Sequence, residues 1–258
     1  EMARAGVPPR ELGRLWPFNN VNSLARAGHT LGIINAGDPW GAAMDVYDVG
    51  LVYANENAFA LRWAALYHGA IAEALKPNAT VESVLETARA LASFRGQKGT
   101  PYAPYDTILS EIDRALEIAS RYDDPMAMRA EFDRLYYGGT HFVYAMSQAN
   151  EIVCKGLAIF AVCKGEARAA MLAGVNYGRD TDCLAAVAGG LAGAFSGTSS
   201  LDKTWIAQVN AATKADPYTN SLLDIDETTD GLHQAVLSRL ARQKALVQAM
   251  EAVEGYLG

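Results

Sequence analysis

Asn176-Tyr177-Gly178-Arg179-Asp180-Thr181-Asp182-Cys183-Leu184-Ala185-Ala186-Val187-Ala188-Gly189-Gly190-Leu191-Ala192-Gly193-Ala194 is the stretch from which the rest of the chain can be read. A Gly-containing turn carries two carboxylates two positions apart, then gives way to small and aliphatic residues without a charge. Ala and Leu favour a helix, which starts near Thr181. Each Gly inside it costs roughly 1 kcal/mol relative to Ala, which suggests a packing constraint: with so little side-chain bulk, neighbouring helices can approach the backbone closely. Two Asp around a Thr can aim several oxygens at one point, the donor type that hard cations such as Mg²⁺ prefer. The plainer alternative, commoner for an Asp pair in general, makes Asp180 and Asp182 first-turn acids that complement the helix dipole.

Outward from this helix the 3.6-residue period recurs. From Thr107 to Tyr122, Ile108, Ile112, Ala115, Leu116 and Ala119 share a face, with Asp106 placed as N-cap. Asp38-Pro39 pairs a capping oxygen with a proline suited to a first helical turn. Further helices are expected over Phe59–Leu75, Thr80–Phe94, Pro125–Tyr137, Ala149–Cys163, Ala167–Val175, Thr181–Ser196, Leu201–Thr213 and Leu232–Tyr256. No stretch alternates at the strand period, so the fold class is all-α. The polar connector 95–104 joins helices of like composition, so residues 1–258 are expected to form a single domain.

Composition limits the function. With 258 residues, half of them apolar and 20% charged, the chain has the balance of a soluble globular protein. A net charge of −7 without Lys/Arg clusters argues against a nucleic-acid partner. An anionic small molecule still fits if metal supplies the positive charge. Cys154, Cys163 and Cys183 have neither disulfide nor zinc-site spacing. No apolar run reaches the roughly 20 residues of a membrane span, and the expected location is the cytoplasm.

Gly178-Arg179-Asp180-Thr181-Asp182-Cys183 with Ala185-Ala186 resembles the turn and helix that carry half of a two-metal site in the ADP-ribosylglycohydrolase superfamily. Asn20-Val21-Asn22-Ser23-Leu24-Ala25-Arg26 is similar to that family's loop along bound ADP-ribose. Ala36-Gly37-Asp38-Pro39 with Asp45-Val46-Tyr47-Asp48 is similar to its Pro-Gly-Asp-Pro and Asp-Ala region, so the resemblance spans about residues 19–197. It implies a compact orthogonal helical bundle and hydrolysis of a glycosidic bond to ribose in an ADP-ribosylated substrate. It also implies two divalent ions, Mg²⁺ or Mn²⁺. Asp180, Asp182 and Cys183 would hold metal, and Asn20, Asn22, Ser23, Arg26 and Tyr53 would line the substrate; no general base is assigned.

Several positions depart from the family pattern. No Thr-Asp-Asp element precedes Asn19, and an upstream segment carrying it is expected before Glu1. Cys183 stands for a Thr, Tyr53 for a substrate-side His and Asn22 for a loop Gly. These changes motivate two rival readings: the same fold acting on a nucleoside or other ribosylated small molecule, and a catalytically silent binding or structural homologue. His68 and His233 read as helix residues, and His29 as either a loop residue or a pocket residue. Trp16, Phe18, Tyr53, Phe59 and Trp63 could stack on a base or belong to the core. Glu151, near the start of a helix, reads as a first-turn acid or as a residue lining the pocket, the helix role favoured.

Overall fold

The computed structural model describes residues 2, 4–15, 20–55, 58–95, 107–136, 147–218 and 222–257. Among them are thirteen α-helices: α1 (Pro9–Leu15), α2 (Ser23–Ala27), α3 (His29–Ile34), α4 (Pro39–Gly50), α5 (Phe59–Ala74), α6 (Val81–Leu91), α7 (Ile108–Ala119), α8 (Arg129–Tyr136), α9 (Ala149–Val162), α10 (Ala167–Asn176), α11 (Thr181–Ser196), α12 (Lys203–Ala215) and α13 (Ile225–Leu257). The described residues hold no strand, though Val21 and Gln148 pair in an isolated antiparallel bridge. No helix of the described residues is long and apolar enough to cross a membrane. The all-α class is that read from the sequence.

Local chemistry explains the helix starts. Asp38 accepts from the Gly41 amide at 2.9 Å with Pro39 in the first turn. Thr80 and Ser83 exchange bonds in a capping box at the head of α6. The same device opens α7, where Thr107 is the N-cap and pairs with Ser110. The cap is therefore one residue later than the expected Asp106, which lies outside the described residues, as does most of the 95–104 connector. α13 begins seven residues before the expected Leu232, because the Glu227 amide bonds the Asp224 carboxylate and starts the helix upstream of Gly231. Part of the loop read at 20–26 is helical: α2 occupies Ser23–Ala27.

α5 and α9 form the centre, largely apolar and buried along almost their whole length, with a few buried polar residues among them. Around them pack α4 and α6 on α5, α7 and α11 on α9, and α10 on α11. Close approach at α11 is explicit. A Cβ on Gly174 of α10 would come 2.6 Å from Ala185 Cα, and one on Gly190 would overlap the His29 ring. A β-carbon at either place would push the helices apart. His29 opens α3 and is a helix residue, not a loop one. Its Nε2 lies 3.0 Å from the Ala186 carbonyl, which can only accept, and 2.9 Å from the Tyr67 hydroxyl, which itself donates to Val187. Burial lowers the His29 pKa against the opposing effect of the Ala186 bond, so the neutral ring pins α3 and α5 to the carbonyls of α11.

Candidate metal centre

Three segments meet at the head of α11. The first is 20–22, bridged to 147–149: the Ala149 amide bonds the Asn20 carbonyl at 2.9 Å and the Asn22 amide bonds the Ser147 carbonyl at 2.9 Å. The third is the turn 178–183. Asn22 joins all three, because its side-chain Nδ2 donates to the Ser147 carbonyl at 3.0 Å and to Asp180 Oδ2 at 3.1 Å. At 2% exposure its side chain is a buried strut between segments far apart in sequence.

The turn is conformationally unusual. Gly178 (φ 83°) and Arg179 (φ 59°) are both left-handed, and Ser147 opposite them has φ 71°. Two residues other than Gly are thus held in a costly conformation on either side of Asp180. Asp180 and Cys183 are buried and Asp182 is exposed, with one ligand atom from each lying within 4.8 Å of the others. For Asp180, burial works to raise the pKa, but hydrogen bonds with Ser147, Cys183, Asp182 and Asn22 outweigh it and hold the carboxyl below its ordinary value. Burial, the hydrogen bond to Asp180 and the charge of Asp180 push the Cys183 thiol up to about 12. It is a protonated donor to Asp180 in this arrangement.

As a donor set this fits one hard divalent cation: two carboxylates supply suitable oxygens, and a neutral thiol is a poor ligand for Mg²⁺. Among the described residues no second group of three metal-capable side chains exists. The substrate-side residues divide. Asn20 and Ser23 are half-buried beside Asn22, and Arg26 is exposed and close enough for its charge to act on Cys183. Tyr53 lies 44% exposed on the α4–α5 connection, and among the described residues no hydrogen bond or ion pair joins it to the Asp180 cluster. Trp63 is fully buried and Phe59 packs against the core, while Trp16 and Phe18 lie outside the described residues.

Sequence reasoning missed the layer behind the carboxylates. Arg179 directs Nε at 2.7 Å and Nη2 at 3.0 Å onto the two carboxylate oxygens of Glu151. Lys155 reaches Glu151 Oε1 at 2.7 Å. Glu151 is therefore buried and doubly paired, more than a first-turn acid. The Glu151–Lys155 spacing of four could be seen on a helix, but no sequence signal connects either to Arg179. The family model for ADP-ribosylglycohydrolase matches residues 1–247. No curated protein matches the chain.

Proposed function

Since a chain matched over residues 1–247 belongs to the ADP-ribosylglycohydrolase family, whose chemistry is glycosidic hydrolysis, we propose that this protein cleaves a glycosidic bond to ribose in an ADP-ribosylated substrate with the help of divalent metal. The observation that carries this reading is the Asp180–Asp182 pair at the head of α11, drawn together with the 20–26 segment by Asn22. Asp180 and Asp182 hold Mg²⁺ or Mn²⁺. When bound, such an ion orients ribose hydroxyls and offsets charge as the bond to C1 breaks.

The chain's own residues do the rest. Asn22 and Ser147 aim the Asp180 carboxylate and keep it ionised for a cation. Asn20, Ser23 and Arg26 face the substrate, and the Arg26 guanidinium suits a phosphate oxygen. Tyr53, half-exposed beyond α4, is assigned to the outer, base-side part of the substrate. Single-domain organisation and a cytoplasmic location belong to the same reading.

The test is calorimetric titration of Mg²⁺ and Mn²⁺ into the full-length protein and into an Asp180→Asn/Asp182→Asn double variant, with and without ADP-ribose. Binding that is lost in the variant and strengthened by ADP-ribose supports the assignment. Metal binding that ADP-ribose leaves unchanged favours another ribosylated substrate. No binding at all leaves a silent homologue of the family.

A further inference from the structure

Resting on the reading that Asp180 and Asp182 hold a divalent ion, we propose that Arg179 is a positioning residue for those ligands, acting through its buried ion pair with Glu151. Arg179 directly precedes Asp180 and has a φ of 59°, a region where glycine is at ease and a side chain is not. A residue that keeps such a backbone must be held by its surroundings. What holds it is a planar two-pronged contact: Nε and Nη2 each meet one oxygen of the same carboxylate, at 2.7 and 3.0 Å. Two parallel bonds fix the guanidinium plane as well as its distance, which a single bond does not.

The anchor is immobile. Glu151 is 1% exposed on α9, a helix buried through nearly all of its length. Lys155 grips the same carboxylate from four residues further along α9, and its ammonium lies 5.6 Å from the Tyr136 ring centre and 5.7 Å from that of Tyr177. Lys155 thus steadies Glu151 and reaches only the Tyr177 ring at the edge of the turn, with no bond to Arg179, Asp180 or Asp182 among the described residues. Among the described residues Arg179 makes the ion-paired link from α9 to the turn that carries Asp180 and Asp182. Without that connection the turn can relax toward ordinary φ values and swing the carboxylates out of register.

The charges make the experiment clean. Glu151 with Lys155 and Arg179 is one anion with two cations, so removing Arg179 leaves a balanced buried pair, whereas removing Glu151 strands cations. The full-length protein, Arg179→Ala, Arg179→Lys and Lys155→Met are compared by calorimetric titration with Mn²⁺ and by thermal unfolding without metal. Arg179→Ala is expected to weaken Mn²⁺ binding by about 10–100-fold, the usual effect of losing a partner that orients a ligand. Arg179→Lys, able to make one bond where Arg makes two, falls between it and the wild type. Lys155→Met stays near wild-type affinity whatever it does to the melting temperature.

A folded Arg179→Ala protein that binds Mn²⁺ as the wild type does overturns the proposal, as does an equal loss of affinity in Lys155→Met. If Arg179→Ala does not fold, Arg179→Lys against Lys155→Met decides: weaker binding in the former supports the proposal, and equal binding overturns it. A wild type that binds no Mn²⁺ refutes the metal reading itself and this inference with it, a result visible before any variant is made.

Discussion

Two glutamates, Glu111 on α7 and Glu151 on α9, are each about 1% exposed and close enough to feel each other's charge, yet they are treated in opposite ways. Glu151 receives two cations, Lys155 and Arg179. Among the described residues Glu111 receives neutral donors, the Tyr136 hydroxyl at 2.8 Å and the Asn150 amide at 2.5 Å. Burial raises the Glu111 pKa to about 7, the two hydrogen bonds oppose the rise, and the Glu151 charge adds to it. Equal burial therefore leaves the charge state undecided; partners decide it. The ion-paired glutamate faces the turn that carries the candidate ligands, while Glu111, whose pKa burial raises to about 7, ties α7 to α8 and α9 inside the core.

The comparison is broken most forcefully at Glu151. Glu151→Ala should destabilise the fold by about 3–5 kcal/mol, because Lys155 stays buried without its bonded counter-charge. Denaturant unfolding measures this, and a loss below about 1 kcal/mol would show that the pair is solvated and the contrast unfounded.

Glu111 should reveal itself through pH. Its folded pKa of about 7 lies above the ordinary 4.5. Between these values the unfolded chain has released a proton that the folded chain retains, so the contribution is complete below pH 4.5 and is lost as pH rises to 7. The amount is about 3 kcal/mol. Glu111→Gln keeps an acceptor for Tyr136 and Asn150 but cannot ionise. The stability of this variant relative to the wild type should therefore climb across that window. A constant difference between the two would refute the assignment.

The smallest effect is expected from Tyr136→Phe, which removes one donor to Glu111 and costs about 1–2 kcal/mol. It also pushes the Glu111 pKa higher, since a bond that favours the carboxylate is gone. Carbon NMR of the Glu111 carboxyl would read the shift directly, and an unmoved titration would mean that Asn150 alone sets it.

Much of this architecture could be read in the residues. The α11 boundaries follow from the polar turn and the bland run behind it, and Asp38-Pro39 announces α4 as found. Short helices were harder. α1, α2 and α3 run for only five to seven residues, too few for a period to show, and are held by contacts with α5 and with the 50–54 turn. At the candidate centre, the pairing of Asp180 with Asp182 could be read from their spacing. The joining of Asp180 to Asn22 could not, because 158 residues separate them.

The sequence by itself determined the all-α class, the long central helices and the two carboxylates at the head of α11, because helix propensity, capping and turn chemistry act within a few residues. Only the tertiary structure decided that Asn22 is a strut, that His29 pins α11 from α3, and that Arg179 clamps the ligand turn onto Glu151. Those roles depend on which distant side chains share a desolvated space, and in such a space a charge or an amide is defined by the partner the fold brings to it.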